Sequence, residues 1–558
     1  MKVAIVVQRY GADINGGAEQ HARYIAEYLG KQMPVEVLTT CAHRDYISWK
    51  NELPEGKEMV NGIPVLRFKN AVERNPVEFA KWSERVFTQK HSLGDELAWL
   101  DAEGPTSPAL IEYIKAHEAD YDFFIFFSFR YHQSFYGARA VPAKAIVVPT
   151  AEREGALGLG IYPPVFRGVR ALMYNSFEER ALIQAVSKNE SVPGVVVGVG
   201  SEIPERSNGG RFRQKFNMRD RFAIYVGRID ENKGCVELFD FFEHYSASLA
   251  NGMHLVLIGT AHVPIPKHPR IHHVGFVEDQ DKYDAMAAAE VLIMPSYLES
   301  LSMVALEAWA MGKPVLANAK CDVLQGQCLR SNAGLFYADY PEFAETLRAI
   351  DTTPTLQAAL GRNGRTFFER HYAWPVIIKK YTDMLQQLSR EKASRVMEPL
   401  PNWFARRRRN QPPADAVVKE LPAGPYKPSA VSRQPSASAS AGARAATPAP
   451  QRTERPARPE QRRPETPRRP EPPKAEGGRP FDSAQGKPKA EGNRGPRAEG
   501  FAEGRRLKAE GDQKPAEGGR PFDSAQGKPK AEGPRGPRRG RHHRRRRPGG
   551  GGGGGGSR

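Results

Sequence analysis

Two carboxylates, Glu299 and Glu307, stand with seven residues between them in the stretch PSYLESLSMVALEAWAMGKPVLA, residues 295–317. Glu299 falls in a Ser/Leu loop after an apolar run, and Glu307 falls inside a segment that reads as a helix. The pattern predicts a helix start near Ser302 and a stop at Gly312, with Pro314 just beyond. The first amides of a helix are unpaired and its dipole favours an anion, so the Ser302 and Met303 N–H groups suit a diphosphate. Glu307, about a turn and a half into the helix, can accept two hydrogen bonds from a vicinal diol such as a ribose. Glu299, ahead of the helix, can reach a hydroxyl on the far side of the phosphates. Ribose, diphosphate and hexose follow in that order in a nucleotide sugar. Taken alone, two glutamates so spaced are better read as a capping carboxylate and an exposed helix residue.

A second stretch weighs against that plainer reading. YVGRIDENKG (225–234) places Arg228 just past an apolar strand and Lys233 five residues later. Two cations at the mouth of a parallel sheet suit a diphosphate whose departing charge needs neutralising; two solvated loop cations are the alternative.

The elements that must position these residues are short β-branched runs alternating with helical patterns, from residue 1 to about 390. VAIVV (3–7), VEVLTT (35–40), YDFFIFFSF (121–129), AKAIVVPT (143–150), GVRALMYNS and GVVVGVG form a first set. FAIYVGR (222–228), HLVLIGT (254–260), IHHVGFV (271–277), EVLIMPS (290–296) and KPVLAN (313–318) form a second. Strands apolar on both faces, separated by helices, indicate parallel sheets covered on both sides. The expected class is α/β, with two Rossmann-like domains, a cleft between them, and a polar hinge at 201–221.

Together, GGAEQHARYIAEYL, YVGRIDENKG, VGFV and the spaced glutamates followed by AWAMGKPVLAN resemble the retaining family 4 glycosyltransferases of the GT-B fold. The resemblance covers roughly residues 1–390 and is more specific in the second half. It implies an N-terminal acceptor domain (1–205), a C-terminal nucleotide-sugar domain (206–373) and a helix (374–392) that returns to the first domain. It further implies that Arg228 and Lys233 bind the donor diphosphate, Glu307 the ribose, and Glu299 the donor sugar beside the Leu301, Ser302 and Met303 amides. Gly17, in the Gly16–Gly17 loop, would let the N-terminal domain approach the phosphates, and the backbone of Phe276 and Val277 would hold the base. Two positions depart from the family pattern. Ser302 stands where many relatives carry Gly, and IVVPTAERE offers Glu152 and Arg153 where relatives often carry His. Glu152 is the candidate for contact with donor sugar or acceptor; Arg153 and His132, beyond another strand end, are further acceptor candidates.

The implied reaction moves a hexose from a UDP- or GDP-sugar to a hydroxyl of a saccharide or lipid-linked acceptor, in cell-envelope polysaccharide or lipopolysaccharide synthesis. No cofactor or metal is expected, because Arg228, Lys233 and the helix start would carry the charge. A GT-B epimerase, a sugar phosphorylase, or a nucleotide-sugar-binding protein whose tail does the work are the alternatives.

Charge is unevenly spread. Residues 401–558 carry 37 Lys and Arg against 16 Asp and Glu, a net of +21, whereas the whole chain is +18, so residues 1–400 stand at −3. The basic balance therefore says nothing of the two predicted domains. Residues 400–558 are rich in Pro, Arg and Gly and poor in aliphatic side chains, and are expected to be disordered. They repeat AEGGRPFDSAQGKPKAEG without change at 475–492 and 516–533. Such a tail could touch RNA or an anionic membrane, or could be a solvated extension. Cys41, Cys235, Cys321 and Cys328 are too scattered for a metal finger and suggest free thiols in a reducing compartment. With no signal-peptide core and no apolar run long enough to span a bilayer, a cytoplasmic protein, at most peripheral to a membrane, is expected.

Overall fold

The structure is a computed structural model that describes residues 1–14, 16–248, 252–391 and 395–425. The first sheet is built from β1 (Val3–Val6), β2 (Val35–Thr40), β3 (Gly56–Val60), β4 (Ile63–Phe68), β5 (Phe123–Phe127), β6 (Ala145–Val148), β7 (Ala171–Tyr174) and β8 (Gly194–Val196). Its order is β3-β4-β2-β1-β5-β6-β7-β8. Strands β1, β5, β6 and β7 are buried along their whole length, as both-face coverage by helices demands. The second sheet holds β9 (Phe222–Val226), β10 (His254–Ile258), β11 (Ile271–Gly275), β12 (Val291–Met294), β13 (Val315–Asn318) and β14 (Gly334–Tyr337). Its order, β11-β10-β9-β12-β13-β14, is parallel throughout. That is the doubly wound order 3-2-1-4-5-6, whose switch point lies between β9 and β12.

One pair departs from the expected parallel arrangement. Strands β3 and β4 form an antiparallel hairpin, turned by Asn61 and Gly62 at φ 49° and 80°. Two left-handed residues in a two-residue loop match the twist of the flanking strands.

Helix Trp374–Arg390 carries the chain back to the first domain. Its buried residues Ile377, Ile378, Tyr381, Met384, Leu385 and Leu388 recur at three- and four-residue steps, giving one apolar stripe. That stripe meets helix Gly17–Gly30, where the Tyr381 hydroxyl lies 3.2 Å from His21 Nε2. The Trp374 ring stacks on Tyr28 with centroids 3.9 Å apart.

The expectation of disorder from residue 400 onward is corrected for 400–425. Short helices Trp403–Arg406 and Ala414–Lys419 run along the first domain, and Ala414 and Val418 are buried there. A Cβ on Gly158 would stand 2.2 Å from the Ala414 carbonyl oxygen, so the extension lies in direct contact with the domain. The low apolar content averaged over 404–558 concealed the short anchor ADAVV. The rest of that expectation, including both repeat copies, concerns residues outside those described. Among the described residues no helix is long and apolar enough to cross a membrane, and all four cysteines are buried and free.

Candidate functional site

The switch point of the second sheet places two loops side by side, one after β9 and one after β12. Close packing of backbone fixes them. Gly234 has φ +71°, and a Cβ there would lie 2.1 Å from the Pro295 carbonyl oxygen, so only glycine lets the first loop rest on the second. Asp230 Oδ1 accepts from the Lys233 amide at 2.8 Å and shapes the turn. The result is an ion pair across the loops: Lys233 Nζ donates to Glu299 Oε1 at 2.8 Å. Burial alone would lower the Lys233 pKa, but the Glu299 charge and hydrogen bond, with Glu152 beyond, hold it above the usual value. Lys233 is therefore a cation at neutral pH. Arg228, on the same loop, is 56% exposed and pairs with Asp230 at 3.4 Å, which leaves much of its guanidinium open to an anion.

Helix Met303–Ala310 begins immediately after this pair. Ser302 caps it, with Oγ accepting from the Ala305 amide at 3.4 Å, and does so at φ +70°. Left-handed backbone costs a non-glycine residue roughly 1–2 kcal/mol, which accounts physically for the glycine of the family pattern. Leu301 is buried, its carbonyl accepting from Gln327 Nε2 at 2.9 Å. Met303 is half-buried at the first helical position.

Glu307 is 5% exposed. Its Oε1 accepts from Lys282 Nζ at 3.2 Å and from the Tyr283 hydroxyl at 3.1 Å, while its buried Oε2 has no partner. Burial raises its pKa against the Lys282 charge and the two hydrogen bonds. A buried carboxylate oxygen without a donor is costly, on the order of 1–3 kcal/mol. A ligand hydroxyl would relieve that cost.

From the first domain, the loop after β6 brings Glu152 into the same electrostatic group. Burial, then the charges of Glu299 and Glu154, push its pKa up to about 7, against the pull of Lys233 and Arg130. That loop is held by a residue outside the sequence-predicted set. Glu179, fully buried, accepts from the Ala151 amide at 2.6 Å through Oε1, and its Oε2 accepts from the Asn175 amide. The signal was present as the capping sequence Ser176-x-x-Glu179. The Glu179 amide does donate to Ser176 Oγ at 3.1 Å, but the carboxylate braces the Glu152 loop instead of closing the box.

Gly16 caps helix Gly17–Gly30, and a Cβ on it would stand 2.3 Å from Glu19 Oε2. A Cβ on Gly17 would meet nothing within 4 Å, so the space beside Gly17 is open. Phe276 is 67% exposed and Val277 half-buried, just past β11 at the edge of the second sheet.

Two acceptor candidates are not brought to this group. Arg153 is occupied: it pairs with Asp322 Oδ2 at 2.8 Å and donates to the carbonyls of Val418, Leu421 and Pro422. Its guanidinium thus fastens the C-terminal extension. His132 is buried against Tyr136, with its Nδ1 unpartnered. Burial lowers its pKa to about 4, so it is neutral, and no contact links it to Glu152, Lys233 or Glu299.

Residues 210–367, which hold the switch point and both glutamates, match the family model of glycosyl transferases group 1. Among curated relatives, TuaC of Bacillus subtilis, named for teichuronic acid biosynthesis as a glycosyltransferase, is 24% identical over 195 residues, 32% of this chain and 49% of TuaC. A GDP-mannose-dependent monoacylated phosphatidylinositol monomannoside mannosyltransferase of Corynebacterium glutamicum is 28% identical over 123 residues, 21% of this chain and 32% of that one. The chain thus spans about half, or less, of the length of the curated relatives it matches. Among solved structures, Anabaena HepE in complex with UDP-glucose superposes with a TM-score of 0.51 at 17% identity, over 69% of this chain and all of HepE. Residues 210–367 thus match the glycosyl transferases group 1 family, and they sit within a two-domain GT-B fold.

Proposed function

We propose that the chain transfers a hexose from a nucleoside diphosphate sugar to a hydroxyl of a saccharide or lipid-linked acceptor, with retention at the anomeric carbon. The observation that carries this reading is the order of groups along one strand-to-helix junction. The Lys233–Glu299 pair comes first, the start of helix Met303–Ala310 next, and the unpartnered Glu307 oxygen last. Glu307 would take a ribose hydroxyl, the helix start with Arg228 and Lys233 the diphosphate, and Glu299 a sugar hydroxyl.

In the reaction, the acceptor oxygen bonds to the anomeric carbon as the bond from that carbon to the diphosphate oxygen breaks. The leaving diphosphate takes the acceptor proton. The protein's part is to orient donor and acceptor and to neutralise the leaving charge with Lys233 and Arg228. This assignment needs no metal. UDP- and GDP-hexoses are both candidate donors, since one relative is named for GDP-mannose and one fold neighbour was solved with UDP-glucose.

An epimerase is the second reading, favoured by one observation: Glu152, with a pKa near 7, is an acid/base group beside Glu299. Incubating the full chain with labelled UDP- and GDP-hexoses, with and without saccharide and lipid acceptors, separates the two. Transfer predicts a glycosylated acceptor of unchanged anomeric configuration; an altered sugar nucleotide formed without acceptor would establish the epimerase.

A further inference from the structure

The extension that follows helix Trp374–Arg390 presents a surface that the donor site does not use. It is fastened to the first domain on both sides of a protruding turn. Upstream, Met397 packs against Gly168, where a Cβ would stand 2.7 Å from its side chain. Downstream, His91 and Gln411 exchange backbone hydrogen bonds at 3.2 and 3.0 Å, and Ala414 and Val418 are buried. The turn itself is seated on helix Leu93–Glu103, for a Cβ on Gly94 would meet the Arg406 carbonyl oxygen at 3.0 Å.

Between these fastenings the aromatic side chains point away from the core. Asn402 caps the turn Trp403–Arg406, its Oδ1 accepting from the Ala405 amide at 3.0 Å. Trp403 and Phe404 are 65% and 64% exposed. Two adjacent large rings left in water, on a segment otherwise well fastened, mark an interaction surface. Four consecutive arginines, Arg406–Arg409, follow them. The Arg407 guanidinium lies 4.5 Å from the Trp403 ring centroid, and that of Arg408 lies 5.1 Å from the Phe404 ring. Beside them, Trp403, Arg406, Arg407 and Arg409 share with Ser92, Gly94 and Asp95 a cavity of about 520 Å³. The Arg406 Nε is buried without an acceptor. Asp95, the acid on that wall, is already engaged by the Ser92 amide at 2.9 Å and by Arg85 at 3.5 Å. The cavity therefore has guanidinium groups in excess and room for a phosphate.

We propose that Trp403–Arg409 docks the protein onto an anionic phospholipid surface. The two rings enter the boundary between headgroups and acyl chains, and the arginines stay at the level of the lipid phosphates, one of which the cavity receives. Rings with cations held over their faces are suited to that boundary, with one end apolar and the other wet. A nucleic acid would call for a basic groove several nucleotides long with free ring faces. Here the cations are confined to one turn, and one face of each ring is covered. The inference stands apart from the donor site and holds whether or not the transfer reaction is confirmed.

The test uses the full chain, whose basic residues 426–558 would add their own attraction, so binding is read at two ionic strengths. Vesicles of phosphatidylcholine, with and without about 30 mol% phosphatidylglycerol, are sedimented with protein at low salt and at about 0.5 M salt, where loosely held charges are largely screened. The wild-type chain is expected to sediment with the anionic vesicles and to retain binding at high salt. Trp403→Ser with Phe404→Ser should lower the high-salt partition at least about tenfold. Arg407→Gln with Arg409→Gln should lower the low-salt partition about tenfold or more. Both pairs lie on exposed side chains, and unchanged circular dichroism verifies that the fold is kept. Equal vesicle binding by the wild type and the Trp403/Phe404 variant would overturn the proposal, as would equal binding to neutral vesicles. Tighter binding to a single-stranded RNA oligonucleotide, weakened by the same substitutions, would also overturn it.

Discussion

Replacing Glu307 by glutamine alters one oxygen's charge and leaves the side chain's shape. In the free protein, Glu307 neutralises Lys282, whose remaining acidic partner is Asp279 at 3.2 Å, an exposed side chain. Some loss of stability, about 1–3 kcal/mol, is expected from the weakened buried pair. The larger effect concerns the donor. The unpartnered Oε2, on a carboxyl group paired with Lys282, is an acceptor waiting for a hydroxyl, and hydrogen bonds within such a charged pair contribute about 1.5–3 kcal/mol. The dissociation constant for the matching nucleoside diphosphate should therefore rise roughly 10- to 150-fold, measured by titration calorimetry on folded Glu307→Gln. The assay separates a ribose contact from general damage when repeated with a deoxyribose ligand. Wild type should lose affinity for the deoxy ligand, while Glu307→Gln should lose little more, giving a coupling of about 1 kcal/mol or above. A dissociation constant within twofold of wild type, or additive losses in the cycle, would refute the ribose assignment.

Ser302 offers a matched pair. Ser302→Ala loses the cap and keeps the left-handed strain, so it should cost about 1 kcal/mol in denaturant unfolding. Ser302→Gly exchanges a few tenths of cap and some chain entropy for relief of that strain, and should stay within about 0.5 kcal/mol of wild type; equal destabilisation by both would contradict the φ of +70°. Glu152 sets a pH dependence. Its folded pKa of about 7 lies above the ordinary 4.5, so its contribution to stability is present below 4.5 and is lost as pH rises through 7. Glu152→Gln should therefore melt higher, relative to wild type, at pH 8 than at pH 5.5, and a difference independent of pH would exclude the raised pKa. Arg153→Ala should speed amide hydrogen exchange across residues 418–424 and leave nucleotide affinity unchanged; weakened donor binding with the extension still protected would restore Arg153 to the site.

Much of this site was legible because parallel strands buried on both faces have no polar alternation to blur them. FAIYV and VLIM announced themselves as strands, and the residues after them, Arg228, Lys233 and Glu299, had to fall at carboxyl ends of the sheet. Their meeting at the switch point follows from strand order, which periodicity does not reveal. The β3–β4 hairpin carries a turn signal in Asn61–Gly62, but β3 is largely exposed, so its sequence lacks the apolar run that marks the others. Arg153 is an acceptor candidate in the sequence because it follows Glu152 where relatives often carry His. Its partners are backbone carbonyls contributed from 418–422, some 265 positions later, and no local pattern foretells such a partnership. The extension itself was hidden by averaging, since two turns with few buried side chains sit at the head of a long Pro/Arg-rich stretch.

The most direct test of the central claim is the melting temperature of the full chain with and without nucleoside diphosphate hexoses, in wild type and in Lys233→Ala. A ligand that binds the native state stabilises it by about 2.7 kcal/mol at a hundredfold excess over its dissociation constant. The account predicts a saturable rise for UDP- or GDP-hexoses in wild type, and a rise that is largely lost in Lys233→Ala. No rise with any nucleotide sugar at millimolar concentration, or one that survives intact without the Lys233 ammonium, would contradict it.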